Sequence, residues 1–328
     1  MAHGGANLDE TTTRLLSRLQ KGVPLTPEPY ETLGEEIGIP AGSVLATINA
    51  LRETGIVRMI GPVMDARRLG YLTTLVAAKV KPENAAKADA VLIANLRISH
   101  AYERDHAYNI WFTLALPNEE AMEAEIEKIG TAIPAEDIFQ LPATRLFKIG
   151  AFFGDGAEPE TAHEPSQPGE DSGELTVEDK AVINAVQRDL PMTGNPFGEM
   201  ARDAGMDVTD FLIAVRALQE RGFMRRYSAA VNHRRAGYTA NGMACFAVPA
   251  GRQDEVGEFL ANQREVSHCY IRRTNPRWNY NLFAMIHGKA KDVALDLAKE
   301  VAEQWDIKDY GVLFSTREIK KMRIRYPV

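Results

Sequence analysis

Residues 51–58 read LRETGIVR, and residues 218–225 read LQERGFMR. The two stretches share Leu, Glu, Gly and Arg at matching places and lie 167 positions apart. The same offset relates RRLGY at 67–71 to RRAGY at 234–238. The chain therefore contains a segment that occurs twice, and each copy carries a helix-like run that ends at a glycine.

The repetition extends well beyond these stretches. SHAYER at 99–104 matches SHCYIR at 267–272 with an offset of 168, and Tyr108 matches Tyr280 with an offset of 172. Both slips can be placed in turns, and a period this long is that of a repeated domain rather than of a solenoid. The chain is therefore a duplicated and fused unit. Any site at the junction would be built from two related but unequal halves.

The composition is that of an ordinary water-soluble chain. Its 328 residues are 45% hydrophobic and 25% charged, and the net charge of −7 gives no general attraction to nucleic acid or anionic membranes. Cys245 and Cys269 are too few for a disulfide framework or a thiolate-rich metal site. The sequence shows neither a membrane-spanning run nor a signal-peptide pattern, so we expect no membrane partner and a cytoplasmic location.

Each half is predicted to contain two domains. Three short helical patterns and an extended hairpin, Ile56 to Met64 in the first half, outline a winged helix-turn-helix. A strand-helix-strand-strand-helix-strand order follows, which is the ferredoxin-like βαββαβ arrangement, so the fold class is α+β in tandem duplication. The predicted domains are winged helix-turn-helix 1 (8–66), ferredoxin-like domain 1 (67–151), a flexible acidic linker (152–174), winged helix-turn-helix 2 (175–233), and ferredoxin-like domain 2 with a C-terminal tail (234–328).

The two predicted recognition helices carry little positive charge. Residues 40–54 have no net charge, and residues 207–221 have a net charge of −1. DNA-reading helices need basic side chains to anchor phosphates, so these helices favour a structural or dimerising role and no DNA partner is expected. A continuous exposed stripe of Arg58, Arg225 and Arg226 would weaken this interpretation.

Two histidines stand out among the seven, because only His100 and His268 recur at matching positions. Each lies in a Ser-His-x-Tyr-x-Arg strand. Alternate residues of a strand share a face, which groups His100, Tyr102 and Arg104, and likewise His268, Tyr270 and Arg272. An imidazole, a phenol and a guanidinium on one face can bind an anion and move a proton. A lone histidine on a strand is more often a structural residue, and duplication copies structural residues equally well.

Repeated arginines suggest a polyanionic ligand held by charge-assisted hydrogen bonds. Trp278 and Tyr280, beside the insertion in the second half, could offer a flat aromatic wall, and His233 stands directly before a duplicated Arg-Arg pair. A large planar molecule with several carboxylates would suit such a surface. The candidate catalytic residues are His100 and His268, and the candidate substrate-binding residues are Arg67, Arg68, Tyr102, Arg104, His233, Arg234, Arg235, Tyr270, Arg272 and Trp278.

These motifs resemble those of the siroheme decarboxylases, which share the architecture of Lrp/AsnC-type transcription regulators. SHAYER followed by YNIWFT at 108–113 resembles the smaller-subunit type. SHCY followed by WNYNLFAMIHG at 278–288 resembles the partner type. The resemblance covers almost the whole chain outside the linker, and a fusion of both types is similar to the form found in heme d1 biosynthesis.

The resemblance implies loss of carbon dioxide from two acetate side chains of siroheme, giving 12,18-didecarboxysiroheme in heme d1 or alternative heme biosynthesis. No separate cofactor is expected, because the iron belongs to the siroheme substrate, and no independent metal site is expected. His100 and His268 would be general acids, one for each acetate, and arginines would anchor the remaining carboxylates. His233 could instead be an axial ligand to the substrate iron.

Two other functions stay open at this point. One is a transcription regulator of the same architecture that senses heme or another small ligand, and the other is a tetrapyrrole carrier without turnover. The near-neutral recognition helices and the paired His-Tyr-Arg strands favour the enzyme. The sequence also leaves open a homodimer, contacts with other tetrapyrrole-pathway enzymes, and whether both halves hold a working site.

Overall fold

The computed structural model describes residues 8–149, 173–232, 240–288 and 290–328. The first repeat contains α1 (Glu10–Lys21), α2 (Pro29–Ile37), α3 (Ala41–Glu53), β1 (Val57–Met64), β2 (Leu72–Lys79), α4 (Ala85–Ala94), β3 (Ile98–Arg104), β4 (Ile110–Leu116), α5 (Glu119–Ala132) and β5 (Asp137–Ile149). The second contains α6 (Val177–Val186), α7 (Pro196–Asp203), α8 (Val208–Glu220), β6 (Met224–Val231), β7 (Ala240–Phe246), α9 (Gln253–Asn262), β8 (Val266–Arg272), β9 (Leu282–Gly288), α10 (Asp292–Gln304) and β10 (Tyr310–Lys321).

The predicted α+β class and its duplication are confirmed. Both repeats show three helices and one strand, then the βαββαβ order, with antiparallel sheets ordered β5-β2-β4-β3 and β10-β7-β9-β8. The domain boundaries named above stay predictions. Of the predicted linker, residues 152–172 lie outside the described residues.

Two long strands join the sheets. The first part of β5 pairs with β2, and its second part, from Ala143 to Ile149, pairs with β8 of the other repeat. In the same way β10 pairs first with β7 and then, from Ser315 to Lys321, with β3. One chain therefore pairs its own two sheets. The registers place Ile149 opposite His268 and Lys321 opposite His100.

The predicted wing hairpins are wrong. Residues 57–64 form the single strand β1, which pairs antiparallel with β6 of the second repeat. Gly61 and Pro62 lie inside this strand opposite Ser228 and Tyr227. Each strand satisfies the backbone hydrogen-bonding groups of the other, so the pairing that a hairpin would make locally is made between the repeats.

The helix ends follow from local sequence. Asp9 caps α1, Asp207 caps α8, and Thr176 forms a capping box with Asp179 at the start of α6. Gly55 and Gly222 follow α3 and α8 with φ angles of 69° and 77°, a conformation that favours glycine. The glycine shared by LRETGIVR and LQERGFMR thus ends each third helix at the same place.

Four apolar clusters hold the molecule together. One extends through both helix-turn-helix units and includes Tyr227 of β6 and partly buried Tyr326 of the C-terminal tail. Two others lie between each sheet and its own helices. The fourth contains Trp111 and Trp278 and lies on the opposite face of both sheets. Because the first cluster includes side chains from both repeats, the two helix-turn-helix units share one core.

Candidate active site

The two His-Tyr-Arg strands present the side chains that the alternation predicts. On β3, Ala101 packs against the helices of its sheet, and on β8 Cys269 does the same. The histidine, tyrosine and arginine of each strand therefore project from the other face. The rings of His100 and Tyr102 stack with centroids 6.5 Å apart, and those of His268 and Tyr270 with centroids 6.3 Å apart.

The structure brings the two histidines of the motif together. Burial lowers the pKa of His100 to about 3, and the charges of Lys321 and His268 add to the effect. Burial lowers the pKa of His268 to about 4, with further lowering by Lys321 and Arg226. Both imidazoles are therefore neutral near pH 7. We use the name junction for the region formed by His100, His268, His287, Lys321, Arg58, Arg225 and Arg226.

A third histidine of the junction escaped the sequence-based prediction. Ser267 Oγ lies 2.6 Å from His287 Nε2 and 2.8 Å from His268 Nδ1. His287 Nδ1 lies 2.5 Å from Asn241 Oδ1, an acceptor, so this nitrogen carries the proton. Ser267 then donates to His287 Nε2 and accepts from Nδ1 of His268. The chain of hydrogen bonds holds His268 in one tautomer with Nε2 unprotonated.

The first repeat lacks this chain. Ser99 Oγ lies 2.8 Å from His100 Nδ1, as in the second repeat. The position equivalent to His287, however, is Ala115 at the offset of 172. Sequence comparison between the repeats could have identified His287 as a difference, whereas a search for recurring residues passes over it.

Arg104 and Arg272, predicted to bind substrate, lie in the interior of the protein. Arg104 Nη1 donates to the Leu313 carbonyl at 3.0 Å, and Arg272 Nη1 donates to the Leu141 carbonyl at 2.9 Å. Arg104 is 5% exposed, and burial lowers the pKa of Arg272 to about 10. Both side chains tie their strands to the facing sheet, so their recurrence has a structural cause.

Other cations occupy the junction. Arg58 and Arg225 are equivalent residues of the paired strands β1 and β6, and each contacts a carboxylate: Glu318 at 2.6 Å and Asp65 at 2.8 Å. The charge of Arg226 lowers the pKa of His268. These arginines point inward with limited exposure, 22% for the side chain of Arg58 and 29% for that of Arg225. They do not form a continuous exposed stripe for DNA.

The predicted pair Arg67 and Arg68 divides between two environments. Arg67 Nη2 donates to the Ala143 carbonyl at 3.4 Å. Burial raises the pKa of Tyr270, and the charge of Arg67 acts in the opposite direction. Arg68 Nη1 donates to the Arg221 carbonyl at the end of α8. Arg67 therefore lies near the second motif, whereas Arg68 holds the first repeat against the second helix-turn-helix.

Trp278 does not offer a flat aromatic wall. It is 4% exposed, and its ring packs edge-on against Trp111 at 5.1 Å and Tyr280 at 5.2 Å. The indole belongs to the apolar cluster between the sheets. Tyr108 and Tyr280 are hydrogen-bonded to Asp137 and Asp309, a second recurrence with a structural role.

Three predicted residues, His233, Arg234 and Arg235, lie outside the described residues. Among the residues that the structure describes, no group of three or more histidine, cysteine, aspartate or glutamate side chains is arranged to hold a metal ion. No helix in the described ranges has the length and apolar character needed to span a membrane.

Comparisons with known proteins agree with this architecture. A family model for the AsnC-like ligand binding domain matches residues 68–148 and 235–320. A second model, for the siroheme decarboxylase NirDL-like helix-turn-helix domain, matches residues 13–58 and 179–225. Both repeats are matched by the same two models, as the duplication requires.

Relatives match almost end to end. A siroheme decarboxylase of Hydrogenobacter thermophilus is 40% identical, over 95% of this chain and 94% of its own length. A siroheme decarboxylase NirDL subunit of Paracoccus denitrificans is 28% identical over 94% and 95%. A crystal structure of the siroheme decarboxylase NirDL with an iron-uroporphyrin III analogue aligns with a TM-score of 0.70 and 36% identity, over 97% of this chain and 95% of that one. The chain belongs to the siroheme decarboxylase family, in the form that carries both related units in one polypeptide.

Proposed function

We propose that the chain removes carbon dioxide from two acetate side chains of siroheme, giving 12,18-didecarboxysiroheme for heme d1 biosynthesis. In this proposal the junction is one shared site, and His100 and His268 are its proton donors. The main supporting observation is that Lys321 lies opposite His100 and that its charge lowers the pKa values of both His100 and His268. This activity would make the protein a carboxy-lyase, which is a class of carbon-carbon lyase.

The charge of the junction suits a polycarboxylate. Its basic side chains are Arg58, Arg225, Arg226 and Lys321, of which Arg58 contacts Glu318 and Arg225 contacts Asp65. Cations in a partly buried region bind carboxylates more strongly than they would in water. We propose that these side chains, with Arg67 beside Tyr270, anchor the carboxylates that do not react.

The reaction needs one proton for each carbon dioxide released. The bond between the methylene and the carboxylate breaks, and its electron pair moves toward the ring system. Protonation of the neighbouring ring carbon makes that system electron-poor enough to accept the pair. Proton transfer to the methylene, with loss of the proton from the ring carbon, then completes a methyl group and restores the ring system, so one proton is consumed. The exchange is redox-neutral, so the proposal requires no resident cofactor beyond the substrate's own macrocycle and iron.

The low pKa values of the two histidines fit a site that becomes active when it is loaded. The imidazoles of His100 and His268 are neutral in the free protein because of burial and nearby cations. Carboxylates of a bound polyanion would offset those cations and raise both pKa values. We propose that substrate binding and protonation of the two imidazoles occur together. The two proton donors are then charged only when the acetates lie beside them.

A regulator of the same architecture is the second candidate, and the paired strands argue against it. The recognition helices carry little positive charge, and Arg58 of β1 and Arg225 of β6 contact Glu318 and Asp65 rather than forming an open basic surface for phosphates. We further propose a cytoplasmic location. Association into a homodimer and contacts with other tetrapyrrole-pathway enzymes are proposals that size-exclusion chromatography and pull-down with purified pathway enzymes would test.

The direct test is anaerobic incubation of the purified protein with siroheme, followed by mass spectrometry of the tetrapyrrole. We expect loss of two carbon dioxide units, and siroheme kept without protein serves as the control. Siroheme that binds tightly but stays intact would contradict the proposal and favour a carrier or sensor. A salt-sensitive, sequence-selective DNA complex would then decide for the regulator.

A further inference from the structure

Lys321 is the side chain at the junction that neither the repeat pattern nor the recurring motifs single out. It lies on β10 directly opposite His100 of β3, and opposite residues of paired strands project from the same face. Its neighbour Lys320 points the other way, where Nζ donates to three carbonyls at the end of α4, the nearest being Asn95 O at 2.6 Å. Lys321 therefore faces the histidines, whereas Lys320 supports a helix.

The ammonium of Lys321 is placed among groups that do not neutralise it. Its charge lowers the pKa values of all three junction histidines, His100, His268 and His287. Within the described ranges it makes no ion pair, and the nearby carboxylate of Glu318 is engaged by Arg58. A partly buried ammonium without an ion-pair partner favours the binding of an anionic ligand.

The second repeat reaches the same place with an apolar side chain. At the offset of 172, the counterpart of Lys321 is Ile149, which lies opposite His268 as Lys321 lies opposite His100. An aliphatic residue is thus accommodated in this setting without loss of the fold. Lysine at position 321 is not needed to complete the architecture, so its role is one that the other half does not share.

We propose that Lys321 is a further catalytic residue, an ammonium that enters the substrate site beside His100 and gives its proton to the carbon left by a departing carboxylate. This inference rests on the proposed decarboxylation. The carbon-carbon bond breaks, carbon dioxide leaves, one carbon-hydrogen bond forms, and Lys321 is left as a neutral amine that regains a proton from solvent. No oxidant or reductant is required.

The acidity of the group agrees with this role. Burial, with a further effect of the Arg58 charge, lowers the pKa of Lys321 to about 8, while Glu318 acts in the opposite direction. In the free protein the ammonium is therefore mostly protonated at neutral pH, unlike His100, His268 and His287. A proton donor is most effective when its pKa lies near the working pH.

The test compares three variants with the wild-type protein. Lys321→Met removes the proton but keeps an aliphatic chain, Lys321→Arg keeps the charge but does not release a proton near neutral pH, and Lys299→Met removes an exposed charge on α10 as the control. Siroheme binding is followed by absorbance, turnover by anaerobic product analysis, and folding by thermal denaturation.

We expect kcat of the wild-type protein to fall as the pH rises through the lysine pKa. Lys321→Met and Lys321→Arg should lower kcat by about 10²-fold or more and should lack this fall. Lys321→Arg should bind siroheme as tightly as the wild-type protein, and Lys299→Met should behave as wild type. An active wild-type protein with a fully active Lys321→Arg or Lys321→Met variant would overturn the inference. Inactive wild-type protein would instead contradict the proposed function itself.

Discussion

The two repeats use the same motif in different surroundings. His100 and His268 each stack beside a tyrosine, and each has a serine hydroxyl at 2.8 Å from Nδ1. Their neighbours differ, because Lys321 lies opposite His100 and Ile149 opposite His268. The second repeat alone adds His287, at the position where the first has Ala115.

This difference separates what duplication preserved from what changed afterwards. The recurring Arg104 and Arg272 bind carbonyls of the facing sheet, and the recurring Asn109 and Asn281 each bond to both backbone groups of a single valine. Residues that recur in both repeats are therefore structural at least as often as they are candidates for catalysis. The side chains that make the junction unequal are found where the copies disagree.

Removal of either motif histidine should have the largest effect. We expect His100→Ala and His268→Ala each to lower the rate of carbon dioxide release by roughly 10²- to 10⁴-fold, because each removes a proton donor. If each histidine serves one acetate, the singly decarboxylated tetrapyrrole should accumulate, and mass spectrometry would detect it. Retained siroheme binding is the control, and wholesale loss of binding would indicate that the imidazoles act as ligands instead.

A lysine at position 149, the counterpart of Lys321, should destabilise the second half. Ile149→Lys places another ammonium beside His268, where Lys321 and Arg226 already act. We expect a loss of roughly 2 kcal/mol in the free energy of unfolding, measured with urea, because the added charge meets cations and is partly desolvated. Ile149→Leu is the matched control. Unchanged stability of Ile149→Lys would mean that the two halves do not differ electrostatically as described.

Acid should destabilise the protein through its junction histidines. The folded-state pKa values of His100, His268 and His287 lie near 3 to 4, below the ordinary value of 6.5. The unfolded chain therefore binds protons first as the pH falls below 6.5, so stability is full above that pH and declines toward the folded-state values. Each imidazole contributes at most about 1.4 kcal/mol per pH unit.

Urea unfolding at pH 7.5, 6.5 and 5.5 would measure this decline in the window where most carboxylates stay charged. His268→Gln and His100→Gln should each reduce the slope by the share of one imidazole. A stability that does not change between pH 6.5 and 5.5 would contradict the buried, neutral state of these rings.

Replacement of Ser267 should have a larger effect than replacement of Ser99, and both effects should be smaller than those above. Ser267 Oγ contacts two imidazoles, whereas Ser99 is bonded to one. We expect Ser267→Ala to reduce the free energy of unfolding by about 1 kcal/mol more than Ser99→Ala, since it leaves two ring nitrogens without their partner. Equal effects in a parallel assay of both variants would show that the Ser267 hydroxyl does not hold His268.

Much of the fold could be predicted from the sequence because it is written in local patterns. Alternation identified β3 and β8, glycines identified the ends of α3 and α8, and the repeat made each assignment twice. The pairing of β1 with β6 could not be predicted in this way. Strand partners far apart in sequence are chosen by tertiary packing, and residues 56–64 were predicted to form a local hairpin instead.

The site was predicted in part. The recurring motif led to His100 and His268, and their meeting at the junction supports that choice as a proposal. The substrate-binding role of the recurring arginines stays a prediction, and the sequence could not show that Arg104 and Arg272 also bond to carbonyls of the facing sheet. Lys321 gave no signal except its mismatch with Ile149, and that mismatch acquires meaning only once β10 is known to cross onto β3.

The most direct test of the account is the number of siroheme molecules bound by one chain. Anaerobic titration of the His100→Ala/His268→Ala double variant, followed by absorbance, measures binding without turnover. We expect one equivalent per chain, because both motifs and Lys321 face one junction. Two independent equivalents per chain would contradict it and would mean that each repeat holds a site of its own.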